Sequence, residues 1–265
     1  MKTFGLEDKL FLITGVANRK SVAYFSAKNL EEAGAKLIFT VQSADHLLKV
    51  EKLFPESKIY ILDVEDENAV ISFGETIKRD GHKLDGFLHS IAFANYSEGI
   101  KPFHETKLKD YLQATNISSF SLATITNALK DSLNTDASIV TVSISDTRAT
   151  SYGYMGPIKA TLNATVDFLA KSLSSFSKVR CNAVCSGPLK TSASAGIPGY
   201  INNYLFAEQL TLRKEALKTI EVANTICFLL SPLSSGINAS KIIVDAGMSC
   251  NHFDSDVVDA VANNM

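Results

Sequence analysis

The sequence has little of several things that would assign a protein to a class. Its 265 residues show no excess of charge, with 26 Lys and Arg against 28 Asp and Glu. The lysines are scattered among acidic neighbours, so no basic field exists to attract a phosphate backbone, and nucleic acid is excluded as an expected partner. Long hydrophobic runs are also missing. The stretch TICFLL at 225–230 falls far short of the ~20 apolar residues of a membrane helix. MKTFGLEDKL at the N-terminus has no apolar signal-peptide core, so no membrane association and a cytoplasmic location are expected. Cysteine is sparse: Cys181, Cys185, Cys227 and Cys250 have neither metal-ligand spacing nor disulfide density. No metal site is expected, and small core side chains account for them. No repeat, low-complexity tract or Pro/Gly/Ser linker divides the chain. With 46% hydrophobic residues the chain can bury a substantial core, and residues 1–265 are expected to form one domain.

What is present is alternation. Strand-like apolar runs at 10–14, 36–40, 58–62, 84–89, 137–142, 179–184 and 241–244 are separated by segments whose apolar residues recur at spacings of three and four, the helical period. Val22, Phe25 and Leu30 mark the first such segment, and Val222, Ile226 and Leu229 the last. The pattern predicts an α/β, Rossmann-like doubly wound parallel sheet of about seven strands with helices on both faces. Runs such as LFLIT and ASIVTV read as strands buried on both sides. The irregular stretch 186–212 lies where long connections at the carboxyl edge of a parallel sheet serve as substrate loops or lids. The tail after Gly247 has no assignment.

The first strand breaks at Gly15, and a helix is expected from near Ser21. The full glycine signature of a dinucleotide site is absent, but Gly15 and Ala17 are small enough for close backbone approach, and Ser21 can cap the helix facing a pyrophosphate. Taken alone, the turn fits an ordinary loop as well as a cofactor cradle. The second strand ends FTVQSAD, where Gln42 can bind ribose hydroxyls and no Arg or Lys stands beside it to hold a 2'-phosphate. NADH is therefore expected ahead of NADPH. After the third strand, Asp63 and Val64 fit an adenine-edge contact, and Asp63 fits a helix cap equally well.

The segments LHSIAFAN, NISSFS, SYGYMGPIK, RCNAVCSGPLKTSASAGI and VDAG, together with the opening turn, resemble the NADH-dependent bacterial enoyl-acyl carrier protein reductases, a divergent branch of the short-chain dehydrogenase/reductase superfamily. The resemblance covers nearly the whole chain. It implies reduction of the trans-2 double bond of an enoyl thioester carried on acyl carrier protein or CoA, in fatty acid synthesis, by a homotetramer. Tyr152 and Lys159 match the family's tyrosine and lysine, six residues intervening; on one helix this spacing brings both side chains to one face. Met155 takes the position of the wider superfamily's tyrosine, and Tyr154 is out of phase.

By resemblance, Tyr152 donates to the thioester carbonyl, helped by a nearby Lys159 ammonium, and Lys159 binds the nicotinamide ribose. The cofactor would be held by Gly15, Ala17, Ser21, Val22, Gln42, Asp63 and Val64 at the adenosine end. At the other end stand Ser90, Ile91 and Ala92 after the fourth strand, then Pro188, Leu189 and Thr191, which close over the nicotinamide amide and phosphates. Ala94, Ile144, Tyr152, Met155, Ala195 and Ile197 would line the acyl chain beneath a lid spanning about 187–214. His89 is expected to be structural. Three departures stand out. A second family tyrosine is replaced by Ile144, in a segment one residue shorter. Pro157 enters the helix bearing Lys159, which is therefore expected to begin near Met155. Ala246 stands for a small glycine or serine, expected to be a mild change. The altered loop leaves two alternatives: a relative acting on a carbonyl or other enone, with Ser143 or Ser145 helping Tyr152, and a non-catalytic nucleotide-binding relative.

Overall fold

In the computed structural model, which describes residues 4–263, seven strands form one sheet. They are β1 (Leu10–Thr14), β2 (Lys36–Val41), β3 (Lys58–Ile61), β4 (Leu84–His89), β5 (Leu133–Ile144), β6 (Arg180–Ser186) and β7 (Lys241–Val244). Their order is β3-β2-β1-β4-β5-β6-β7, every pairing parallel. Side chains of the central strands alternate between two cores: Leu12, Phe87 and Ile139 enter one, and Phe11, Leu88 and Val140 the other. Covering both faces removes the polar alternation a solvated sheet would show.

One core is roofed by α3 (Glu67–Arg79), α5 (Ser121–Leu129) and α6 (Met155–Leu173), the other by α1 (Val22–Glu32) and α9 (Thr219–Leu230). The remaining helices are α2 (Ala44–Glu51), α4 (Leu108–Thr115), α7 (Ser192–Ala195), α8 (Tyr200–Leu210) and α10 (Ser255–Ala262). Ser21 caps α1 by accepting from the Tyr24 N–H. Asp66 caps α3, accepting from the amides of Asn68 and Ala69. Asp63 is therefore not that helix's cap; its carboxylate accepts from the Glu65 amide.

Strand positions follow the expected alternation, β5 being longer than its apolar run because Leu133 also pairs with Leu84. A five-residue π-turn, Asn116–Phe120, links α4 to α5, and π-turns gather at functional sites. The unassigned tail forms a short turn at Met248–Cys250 and then α10. Ala246 is not a mild change: its φ is +54°, a left-handed conformation costing a side chain roughly 1–2 kcal/mol.

Candidate active site

The sheet order reverses between β1 and β4, and a crevice opens there at the carboxyl ends of the strands, as expected at a topological switch point. The cleft holds about 1050 Å³. At its floor Gly15 takes φ +81°, and a Cβ there would sit 1.9 Å from the Ser90 carbonyl oxygen. The first and fourth strand ends therefore approach each other as only glycine permits. Thr14 fastens the same junction, its hydroxyl donating to the Leu88 carbonyl and accepting from the Ser90 N–H.

From this floor the cleft runs in two directions. Toward β2 and β3 it is lined by Ala17, Ser21, Val22, Gln42, Asp63 and Val64, and across the floor by Ser90, Ile91 and Ala92. Toward α6 it is lined by Ala94, Ile144, Tyr152, Met155 and Lys159, with Pro188, Leu189, Thr191 and Ile197 forming the far wall. Of the expected residues, Ala195 alone does not line it. It is exposed on α7, because the turn that aims Ala193 and Ser194 inward carries the next side chain away.

Tyr152 and Lys159 line the same cleft but do not share a helix. Tyr152 ends a 3-10 turn, Thr150–Tyr152, and Gly153 at φ +67° separates it from α6. Lys159 alone belongs to α6, which begins at Met155 and so takes Pro157 within its first turn. Tyr154 is a core residue, its hydroxyl donating to the Asn95 carbonyl, and the Tyr96 hydroxyl donates to the Tyr152 carbonyl at 3.3 Å.

Lys159 is 5% exposed. Burial pulls its ammonium down to about 8, a nearby Cys185 opposing the shift. It donates to the Val142 carbonyl at 3.0 Å, leaving two of its three N–H groups for a ligand. Ser143, on the same strand end, lines the cleft, its hydroxyl paired with the Cys185 thiol. Burial, with Tyr200 nearby, pushes the Tyr152 phenol up to about 12.

His89 is wholly buried between the hydroxyls of Thr141 and Ser121, each 2.8 Å away. Ser121 spends its proton on the Ile117 carbonyl, so Nε2 of His89 is the N–H donor. Burial and the Lys159 charge lower His89 to about 3, which keeps it neutral and structural. Among further lining residues, Phe93 lies in the LHSIAFAN motif and Tyr200 and Phe206 in the expected lid, whereas His46, Tyr96, and Met248 and His252 of the tail carried no signal in the sequence.

A family profile described as enoyl-(acyl carrier protein) reductase matches residues 15–249, from the cradle glycine past the seventh strand. The chain belongs to this family. Within it, the NADPH-type FabI of Staphylococcus aureus strain MRSA252 is 36% identical over 249 residues, covering 91% of this chain and 97% of its own. The NADH-type FabI of Enterococcus faecalis strain V583 is 35% identical, covering 92% and 98%. The crystal structure of the Bacillus cereus enoyl-acyl carrier protein reductase with NADP+ and an indole naphthyridinone superposes with a TM-score of 0.86 at 32% identity, over 91% of this chain and 96% of that one. Among the described residues, no helix is long and apolar enough to cross a membrane, and no cluster of His, Cys, Asp and Glu could hold a metal.

Proposed function

We infer that this protein is an NADH-dependent reductase of the trans-2 double bond of an enoyl thioester, acyl carrier protein or CoA being the carrier. The observation that carries this reading is that one cleft joins the glycine cradle to Tyr152 and Lys159 beneath an apolar lid. When bound, the nicotinamide supplies the hydride that reaches the β-carbon. Lys159, with two N–H groups free and Val142 fixing the third, holds the ribose hydroxyls. Tyr152, protonated throughout the neutral range, donates to the thioester carbonyl and steadies the enolate oxygen as charge develops, worth about 3 kcal/mol for such a donor. Leu189 offers its backbone to the nicotinamide amide, and the lid at 187–214 keeps water from the acyl chain within a single domain, 1–265.

Relatives divide between NADPH and NADH. The adenosine end here presents Thr40, Val41, Gln42 and His46 and, among the described residues lining it, no Lys or Arg, which favours a free 2'-hydroxyl. NADH and NADPH oxidation with crotonyl thioester as acceptor tests both points. Rapid NADH loss with little NADPH loss is expected. Comparable rates would remove Gln42 as a discriminator, and turnover of a ketone panel but not the thioester would move the chemistry to a carbonyl, with Ser143 of the same cleft helping Tyr152. Binding without any turnover would mark a non-catalytic relative.

A further inference from the structure

The far wall of the cleft contains a hydrogen-bond arrangement that the reaction does not require. The Tyr200 hydroxyl accepts from the Leu189 N–H at 2.8 Å and donates to the Leu189 carbonyl at 3.0 Å. One phenol oxygen thus satisfies both polar groups of a single main-chain residue. The carbonyl has other donors, the Ser194 hydroxyl at 2.8 Å and the Thr191 N–H at 3.1 Å. Among the described residues the Leu189 N–H has Tyr200 alone.

A similar clamp exists elsewhere and differs in one respect. The Ser118 hydroxyl accepts from the Phe93 N–H and donates to its carbonyl, both at 2.8 Å, but Ser118 is wholly buried and does not line the cleft. Tyr200 does line it, beside Pro188 and Leu189. It is also the first residue of α8, immediately after Gly199, which takes φ +71° and where a Cβ would meet nothing within 4 Å. The phenol is therefore tethered through a residue with room to turn.

A primary carboxamide presents one acceptor and one donor, the pair that a backbone N–H and C=O of one residue would satisfy. We propose that the Tyr200 phenol is a stand-in for the nicotinamide carboxamide, holding the Leu189 main chain until the cofactor displaces it and frees the start of α8. This rests on the reading of Leu189 as the amide's backbone partner. It makes Tyr200 a positioning residue that sets cofactor affinity and couples nicotinamide arrival to movement of the lid.

The test compares NADH with ADP-ribose, which keeps the adenosine and pyrophosphate but lacks the nicotinamide, by calorimetry on the intact chain. Tyr200→Phe removes only the competing hydroxyl. NADH is expected to bind the variant about fivefold or more tighter, with ADP-ribose within twofold of the wild type. Unchanged or weaker NADH binding overturns the proposal, and so does an equal gain for both ligands, which would mean a generally loosened lid. 3-Fluorotyrosine at position 200 gives a readout that keeps the phenol. Its ¹⁹F resonance should move with NADH and stay with ADP-ribose, and an equal response to both contradicts displacement. Wild-type protein that binds neither ligand would overturn the dinucleotide reading itself, and this proposal with it.

Discussion

Tyr152 and His89 show how far a residue's chemistry depends on what surrounds it. Burial holds the Tyr152 proton up to about 12, making it a standing donor. Tyr152→Phe is accordingly expected to lower kcat about 100-fold while NADH affinity stays within about twofold, as stopped-flow turnover and fluorescence titration would report. Equal losses in both would place Tyr152 in binding instead. His89 and Lys159 are two of the buried groups that make stability depend on pH. His89 titrates near 3 in the fold against an ordinary 6.5, so the unfolded chain binds the extra proton between those values. Stability attributable to His89 is therefore lost as pH falls from about 6.5 toward about 3, by up to ~1.4 kcal/mol per pH unit. Urea midpoints should drop across that window and drop less in His89→Asn. Lys159, lowered to about 8 from 10.5, acts in the same sense at alkaline pH, adding stability as pH rises from about 8 to 10.5. The sequence marked Tyr152 and Lys159 through their motif, but their depressed or raised pKa values arise from burial that no motif records.

Among elements, the most legible was the β1 turn, because the strand, the small residues and the Ser21 cap are all local. The necessity of Gly15 was not. It comes from the Ser90 carbonyl on β4, 1.9 Å from where a Cβ would stand, and from a φ of +81°. Gly15→Ala should cost about 3 kcal/mol or more in urea unfolding and abolish dinucleotide binding; a loss below about 1 kcal/mol would show that the junction can relax. Helix α6 began where Pro157 required, but the expectation of Tyr152 and Lys159 on one helix failed because Gly153 breaks the backbone between them. Sequence spacing assumed a continuous period of 3.6, and a left-handed residue resets that period. Ala195 left the cleft for a related reason: it lies on a four-residue helix, α7, whose orientation is set by Thr191 and Ser194 bonding each other's backbones.

For the whole molecule, the uncovered apolar surface is the clearest feature. β7 is an edge strand with Ile243 55% exposed, and Phe168 on α6 is 78% exposed. An open edge and large exposed aromatics invite association. A homotetramer formed across the last strand and the long helices is the expected state, and sedimentation equilibrium checks it; a monomer at micromolar concentration would contradict it. The sequence by itself determined the alternation of strands and helices, the doubly buried sheet and the family, since hydrophobic period and motif are properties of short stretches of chain. Only the tertiary structure decided which side chains share the cleft, that Gly15 meets the Ser90 carbonyl, and that Tyr200 holds Leu189 across eleven positions. Those facts depend on distances between segments far apart in sequence, and burial, which sets the titration of Lys159, His89 and Tyr152, exists only once the segments have packed.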